Sequence, residues 1–85
     1  MIVTRAQWPH TMEDIYKALD GVWGLIGATG VNGNLYRLER SLHEPLLYTL
    51  TEYRLSDESD IVRREEYPED EKQAAISNFA KAIGF

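Results

Sequence analysis

The apolar pattern changes its period once along this chain, and that change constrains the fold more than any other feature. Three segments, residues 35–42, 46–55 and 60–67, carry Leu, Tyr, Thr and Val with a period of two residues. Strands with one buried face have this pattern, because successive side chains point to opposite sides of a sheet. After Pro68 the apolar residues recur with the period of a helix.

Short polar segments separate the three predicted strands. His43-Glu44-Pro45 stands between the first and the second, and Ser56-Asp57-Glu58-Ser59 stands between the second and the third. Segments of this composition favour turns and loops. Such short connections join antiparallel neighbours, because a parallel pair needs a crossover of about a dozen residues or more. The sequence therefore predicts an antiparallel sheet.

A C-terminal helix is predicted over residues 69–83, packed on one face of this sheet. Pro68 suits the first turn of a helix, where its missing N–H group is not needed. The acidic residues that follow it, 69–71, complement the positive end of the helix dipole. The apolar face of the helix consists of Ala75, Ile76, Phe79 and Ile83.

An N-terminal helix is predicted over residues 11–20. Thr11 can cap this helix and Asp14 can complete a capping box, while Gly21 ends it. Before the helix, residues 2–8 suit a strand that Pro9 ends. The sheet is therefore expected to have three strands, or four if this segment joins it.

These elements predict the α+β class, with one small domain over residues 1–85. A chain of 85 residues buries a modest share of its surface, so we expect a stability of only a few kcal/mol. The sequence has no cysteine and no apolar run of the length that crosses a membrane. Its first residues also lack the apolar core of a signal peptide. We expect a cytoplasmic protein that does not bind membranes.

Negative charge is concentrated in one part of the chain. Residues 57–71 contain eight acidic and two basic side chains, a net charge of −6, whereas the whole chain carries −5 and the remainder +1. Nucleic-acid phosphates repel such a segment, which argues against direct binding of DNA or RNA. A basic surface on another protein would instead attract it.

Five of these acids are predicted to bind a partner protein. Asp57, Glu58 and Asp60 rank first, because a loop between strands gives no helix-dipole reason for their charge. Glu65 and Glu66 rank next, because they can pair with arginines across strands instead. The favoured function is a small non-enzymatic protein-binding module, such as an inhibitor that occupies the basic surface of a protein that handles nucleic acids.

The segment Gly27-Ala28-Thr29-Gly30-Val31-Asn32-Gly33 resembles the GATGxxG loop of the short-chain dehydrogenases and related dinucleotide-binding proteins. In that family a strand precedes the loop and a helix follows it, and the loop backbone binds a pyrophosphate. The resemblance implies a nucleotide binder that uses Gly27–Gly33, which is one alternative function. Here a helix-like segment precedes the motif and a strand-like segment follows it. We therefore expect a structural turn, with Asn32-Gly33 as a hairpin signal, and no cofactor.

The histidines and serines do not predict catalysis or metal binding. His10 and His43 are the only histidines and lie far apart in the sequence. A zinc site normally needs three or four nitrogen and sulfur ligands. None of the serines lies in a nucleophile-elbow pattern. We expect neither catalytic residues nor a metal site.

The aromatic residues suggest the other alternative, a homo-oligomeric structural or assembly protein. The chain has nine Phe, Tyr and Trp residues, and any that are exposed on a sheet face would suit an interface. A sheet edge or such a face would then pair with a second copy, most simply as a homodimer. Salt separates this alternative from the favoured one, because binding through acids weakens with ionic strength whereas aromatic contacts do not.

Overall fold

The computed structural model describes Pro9 and residues 11–85, apart from the side chain of Glu58. The chain forms one helix, four strands, a short 3-10 turn and a second helix. In order these are α1 (Met12–Asp20), β1 (Leu25–Thr29), β2 (Leu35–Arg40), β3 (Leu47–Arg54), β4 (Asp57–Pro68), the 3-10 turn (Glu69–Glu71) and α2 (Lys72–Ala82). This is the predicted α+β class, with a helix at each end of the sheet.

The four strands form one antiparallel sheet in the order β1-β2-β3-β4. Each strand pairs with the next one in sequence, as the short connections predicted. The fourth strand is β1, which comes from the glycine-rich segment. The predicted strand over residues 2–8 lies outside the described residues.

Both helices cover the same face of the sheet. The register aligns Ile26 with Leu38 and Leu38 with Leu50, so these three side chains cross the sheet in one row. Phe79 of α2 and Ile15 of α1 are completely buried against this face. The core therefore lies between the sheet and the two helices, as expected for a helix packed on one sheet face.

The start of α1 confirms the predicted capping box. The backbone N–H of Asp14 donates to Thr11 Oγ1, and the backbone N–H of Thr11 donates to Asp14 Oδ2, each at 3.2 Å. These bonds satisfy backbone donors that a helix start leaves free. No helix in the described part of the chain is long and apolar enough to cross a membrane.

The prediction for β4 was wrong at its start. The strand begins at Asp57, not at residue 60, because the connection from β3 is only Leu55-Ser56. Asp57 pairs with Arg54, but the next aligned residue of β4 is Ile61, opposite Tyr53. The three residues between them bulge out of the ladder, so the predicted polar loop is instead an irregular first part of the strand.

Two other boundaries differ from the prediction. Strand β2 ends at Arg40, so Leu42, which was expected on its apolar face, lies in the following loop and is 73% exposed. The C-terminal helix starts at Lys72, after a 3-10 turn that contains the three acids following Pro68. Short 3-10 turns are common at helix starts, where i→i+3 bonds satisfy part of the free backbone.

Candidate functional site

Strand β4 carries all five acids that were predicted to bind a partner, and it lies at one edge of the four-stranded sheet. The 3-10 turn continues the strand with three more exposed carboxylates, those of Glu69–Glu71. We call the exposed acids of residues 57–71 the acidic edge. The backbone of Glu58 belongs to β4, whereas its side chain lies outside the described residues.

The acids at the start of β4 have partners within the chain. The carboxylate of Asp57 accepts hydrogen bonds from the Ser59 hydroxyl at 2.6 Å and from the Ser59 backbone N–H at 3.0 Å. These two bonds hold the pKa of Asp57 below its usual value. Asp60 Oδ2 lies 2.6 Å from Arg54 Nε, so its charge is locally balanced.

The acids near the end of β4 point to opposite faces of the sheet. Glu65 lies opposite Leu50 on the face that α2 covers, and its Oε1 is 3.8 Å from Arg63 Nε. Glu66 lies opposite Thr49 on the other face and is exposed. The two predicted residues therefore cannot lie side by side against one flat partner surface, although both are accessible from the edge.

A buried polar cluster that sequence reasoning missed lies next to the acidic edge. Glu52 of β3 is 7% exposed, and its Oε2 accepts hydrogen bonds from Asn34 Nδ2 at 2.8 Å and from Asn32 Nδ2 at 3.1 Å. The Tyr36 hydroxyl also bonds to Glu52 and accepts from Asn32 Nδ2 at 2.9 Å. Arg63 Nη2 lies 3.9 Å from Glu52 Oε1. We call Asn32, Asn34, Tyr36 and Glu52 the Glu52 cluster.

The electrostatics of the Glu52 cluster keep its acid ionised and its phenol protonated. The hydrogen bond from Asn34 contributes most to a pKa of Glu52 below its usual value, although burial opposes this shift. Burial raises the pKa of Tyr36, and the negative charge of Glu52 adds to that effect. At neutral pH the cluster is thus an anion bound by neutral donors, an arrangement that ties the β1–β2 turn to β3.

An open groove of about 330 Å³ adjoins this cluster, between α2 and the sheet. Tyr36 and Leu50 contribute to its lining, and the cationic side chains of Arg63 and Lys81 contribute to its polar part. Asn78 also lines the groove, but its Nδ2 already donates to the Tyr67 hydroxyl at 2.8 Å. The groove is lined by side chains of both charges, those of Arg63 and Lys81 and that of Glu65. Its charge therefore does not favour either an anionic or a cationic ligand.

The glycine-rich segment is a hairpin, which agrees with the expected turn only in part. Gly27 and Thr29 lie inside β1, and a tight turn follows in which Gly33 N–H donates to Gly30 O at 3.0 Å. The strand β2 follows this turn, whereas the dinucleotide-binding family has a helix there. A Cβ on Gly30 would lie 2.2 Å from the Tyr36 ring, so the space that glycine leaves here is filled by Tyr36.

Several of the described aromatic residues are buried, but the most exposed one lies outside the strands. Tyr36, Tyr48, Tyr53 and Phe79 are all buried. Trp23, in the loop between α1 and β1, is 83% exposed. Among the described aromatic residues, the most exposed one therefore lies in a loop at one end of the sheet.

No group of three or more His, Asp or Glu side chains in the described part of the chain is arranged to hold a metal ion. Comparisons of the chain with protein-family models, with curated proteins and with solved structures find no match.

Proposed function

We propose that this protein is a non-enzymatic protein-binding module that occupies a basic surface of its partner, as an inhibitor of a protein that handles nucleic acids would. The observation that carries this proposal is the acidic edge. Its exposed carboxylates lie along β4 and the 3-10 turn, at one edge of the sheet. The proposal places this binding in the cytoplasm, which cell fractionation tests.

Four acids give the acidic edge its long-range attraction. Glu66, Glu69, Asp70 and Glu71 are exposed and form no ion pair with any described residue. Asp57 has hydrogen bonds but no ion pair with a described residue, and it is exposed, so its charge also reaches solvent. Clustered like charges steer a partner of opposite charge and raise the association rate, an effect that salt screens.

The same strand is poorly suited to pair with a second copy through its backbone. Its first part bulges between Asp57 and Ile61, and bulges and charges are the features that protect exposed strand edges from pairing. Two acidic edges would also repel each other. These observations favour side-chain binding to a basic protein over the homodimer alternative at this edge.

Charge reversal on the acidic edge tests the proposal. The variant Asp57→Lys/Glu66→Lys replaces two negative charges, neither of them ion-paired with a described residue, by two positive ones, and it leaves the residues of the Arg54–Asp60 pair unchanged. The matched control is Glu13→Lys, compared with the single variant Glu66→Lys; each changes the net charge by the same amount at an exposed position, and Glu13 lies in the first turn of α1, away from β4. The partner is first isolated by pull-down from the source organism, and its association rate is then measured from low to high NaCl.

The β4 double variant should bind the partner more slowly and with a flatter dependence on salt, whereas the control should behave more like the natural chain. Equal association rates and salt slopes for the natural chain and the β4 variant would overturn the proposal. In that case the acids would be surface residues that keep the edge strand exposed to water, with no role in binding.

A further inference from the structure

Three large apolar side chains are exposed at one end of the sheet. Val22 and Trp23, in the loop from α1 to β1, are 87% and 83% exposed, and Leu42, in the loop after β2, is 73% exposed. Arg40 N–H donates to Gly24 O at 2.7 Å, which continues the pairing of β1 with β2 past the strand ends. The two loops therefore lie side by side, and we call Val22, Trp23 and Leu42 the apolar end.

The loop that presents Trp23 is fixed by a single arginine. Arg40 Nη1 donates to Leu19 O and Arg40 Nη2 donates to Gly21 O, each at 2.9 Å. These carbonyls belong to the last turn and the C-cap of α1, where backbone acceptors lack helical partners. Arg40 thus satisfies the helix end and anchors the loop at the same time.

The conformation of Gly24 completes this arrangement. Its φ is +57°, and a Cβ there would lie 3.1 Å from the Arg40 side chain. A left-handed conformation is accessible to glycine at little cost, whereas other residues are strained by it. Gly24 therefore permits the turn into β1, and Val22 and Trp23, just before it, are exposed between two backbone segments that Arg40 contacts.

An exposed surface of this kind is larger than scattered apolar residues provide. A Trp side chain alone offers about 150–250 Å² of contact area, and apolar patches of several hundred Å² mark interaction sites. Trp is also the residue type most enriched among those that dominate binding energy. A rigid loop lowers the entropy lost on binding, because little remains to be ordered.

Acids without an ion pair to a described residue border the apolar end. Glu44, in the loop after β2, is one of them and is exposed, whereas Asp20, at the end of α1, is balanced by Lys72. Strand β4 also ends here, since Pro68 pairs with the first residue of β3, and the acids 69–71 follow it. Lys72 Nζ lies 2.5 Å from Asp20 Oδ1, which places the start of α2 beside the end of α1. Three strand spacings, about 14 Å, separate β1 from β4.

We propose that the apolar end is the anchor of the partner interface, and that it fits a protein whose apolar pocket is flanked by Lys and Arg side chains. The inference rests on the proposed function and locates its binding energy. Charge complementarity selects this occupant: a second copy would bring acids against acids, and an anionic lipid surface would repel the same rim. The acidic edge then sets the association rate, and Trp23 sets the dissociation rate.

The experiment first identifies the partner by contact. A photoreactive benzophenone amino acid replaces Trp23 in one sample and Val31 in the other. Val31 is 77% exposed and lies two residues after the last residue of β1, at the opposite end of the sheet, which makes it a matched control. The protein that is crosslinked from position 23 and not from position 31 is purified, and its binding kinetics are measured with Trp23→Ala and Val31→Ala.

The inference predicts that Trp23→Ala raises Kd by roughly thirty-fold or more, almost wholly through faster dissociation. Val31→Ala should stay within about twofold of the natural chain. Thermal melting of both variants verifies that they are folded. Unchanged dissociation for a folded Trp23→Ala variant would overturn the inference.

The outcomes separate this inference from the proposed function. If Trp23→Ala binds normally while Asp57→Lys/Glu66→Lys associates slowly, the anchor is wrong and the proposed function stands. If neither variant changes binding, both are wrong. Two further results would overturn the anchor by showing a different occupant. One is a dimer in sedimentation velocity that Trp23→Ala dissociates. The other is a blue shift of Trp23 emission with phosphatidylglycerol vesicles, measured in a Trp8→Phe background.

Discussion

At the end of the sheet where β1 turns into β2 a charged side chain is buried, whereas at the opposite end a tryptophan is exposed. The Glu52 cluster occupies the first end, with a carboxylate only 7% exposed. The apolar end occupies the second, with Trp23 83% exposed. Both arrangements run against the usual distribution of residue types, in which charged groups are seldom buried without a partner.

The difference lies in whether partners within the chain account for the unusual residue. Glu52 accepts hydrogen bonds from Asn32, Asn34 and Tyr36, so its burial is explained by the fold itself. Trp23 has a fixed backbone but an exposed ring, and the described fold gives no reason for its size. A buried charge with its own partners indicates a structural role, and a large apolar side chain on a rigid loop indicates a binding role.

The largest expected effect comes from the core that both ends share. Phe79→Ala should lower the free energy of unfolding by about 3–5 kcal/mol, because Phe79 is completely buried between α2 and the sheet. A loss of that size is comparable to the whole stability of a small domain. Urea unfolding followed by circular dichroism measures it. An unchanged midpoint would show that α2 is not packed as described, and the two ends would lose their common support.

Glu52→Ala is the next largest change and tests the polar end alone. It should destabilise the fold by about 2–3 kcal/mol, because the donors of Asn32, Asn34 and Tyr36 lose their shared acceptor. Glu66→Ala is the matched control, since Glu66 is an exposed acid of the neighbouring strand and should change stability by less than about 0.5 kcal/mol. Equal midpoints for the two variants would mean that the cluster does not hold the turn.

The pH dependence of stability should report the same cluster. Hydrogen bonds lower the folded-state pKa of Glu52 below its unfolded value of 4.5, so the ionised acid stabilises the fold above that pH. This contribution is lost as the pH falls through the lower, folded-state pKa. Urea midpoints measured from neutral to acidic pH should therefore fall less steeply for Glu52→Ala than for the natural chain. Parallel curves would contradict the low pKa of Glu52.

The helices could be predicted from residues that lie close together in the sequence, whereas strand β1 could not. The capping box of Thr11 and Asp14 uses contacts three residues apart, and these form as the sequence indicates. Strand β1 has no such signal, because Gly27 and Ala28 have low strand propensity. It is a strand because its backbone pairs with β2 and its Ile26 and Ala28 side chains enter the core. That requires a tertiary contact, which a local pattern does not contain.

The two ends of the sheet differ in how far the sequence could predict them. Glu52 shares its strand face with Tyr48 and Leu50, and an acid on an apolar face is a readable signal of a buried charge. Its donors come from the β1–β2 turn, which only the register brings beside it. The exposure of Trp23 could not be predicted, because it depends on Arg40 reaching two carbonyls 19 and 21 residues away in sequence.

Arg40→Ala should have a smaller effect on stability than Glu52→Ala, about 1–2 kcal/mol, because the two lost hydrogen bonds are only partly buried. Its specific effect should be on the loop: Trp23 fluorescence anisotropy, in a Trp8→Phe background, should fall as the loop loses its anchor. Arg40→Lys is the informative control, because a single ammonium group cannot donate in the fixed fork of a guanidinium. Unchanged anisotropy in both variants would show that Arg40 does not hold the loop.

The smallest effect on stability is expected for Trp23→Ala, and this is what most sharply separates the two ends. A side chain that is 83% exposed buries little area on folding, so its removal should change the free energy of unfolding by less than about 0.5 kcal/mol. Glu52→Ala, at the other end, should cost several times more in the same urea titration. If Trp23→Ala were as damaging as Glu52→Ala, the ring would have to be packed in solution, and a structural role would replace the binding role. Faster dissociation from the partner without a loss of stability is the result expected of an exposed anchor, whereas loss of the exposed acids should slow association.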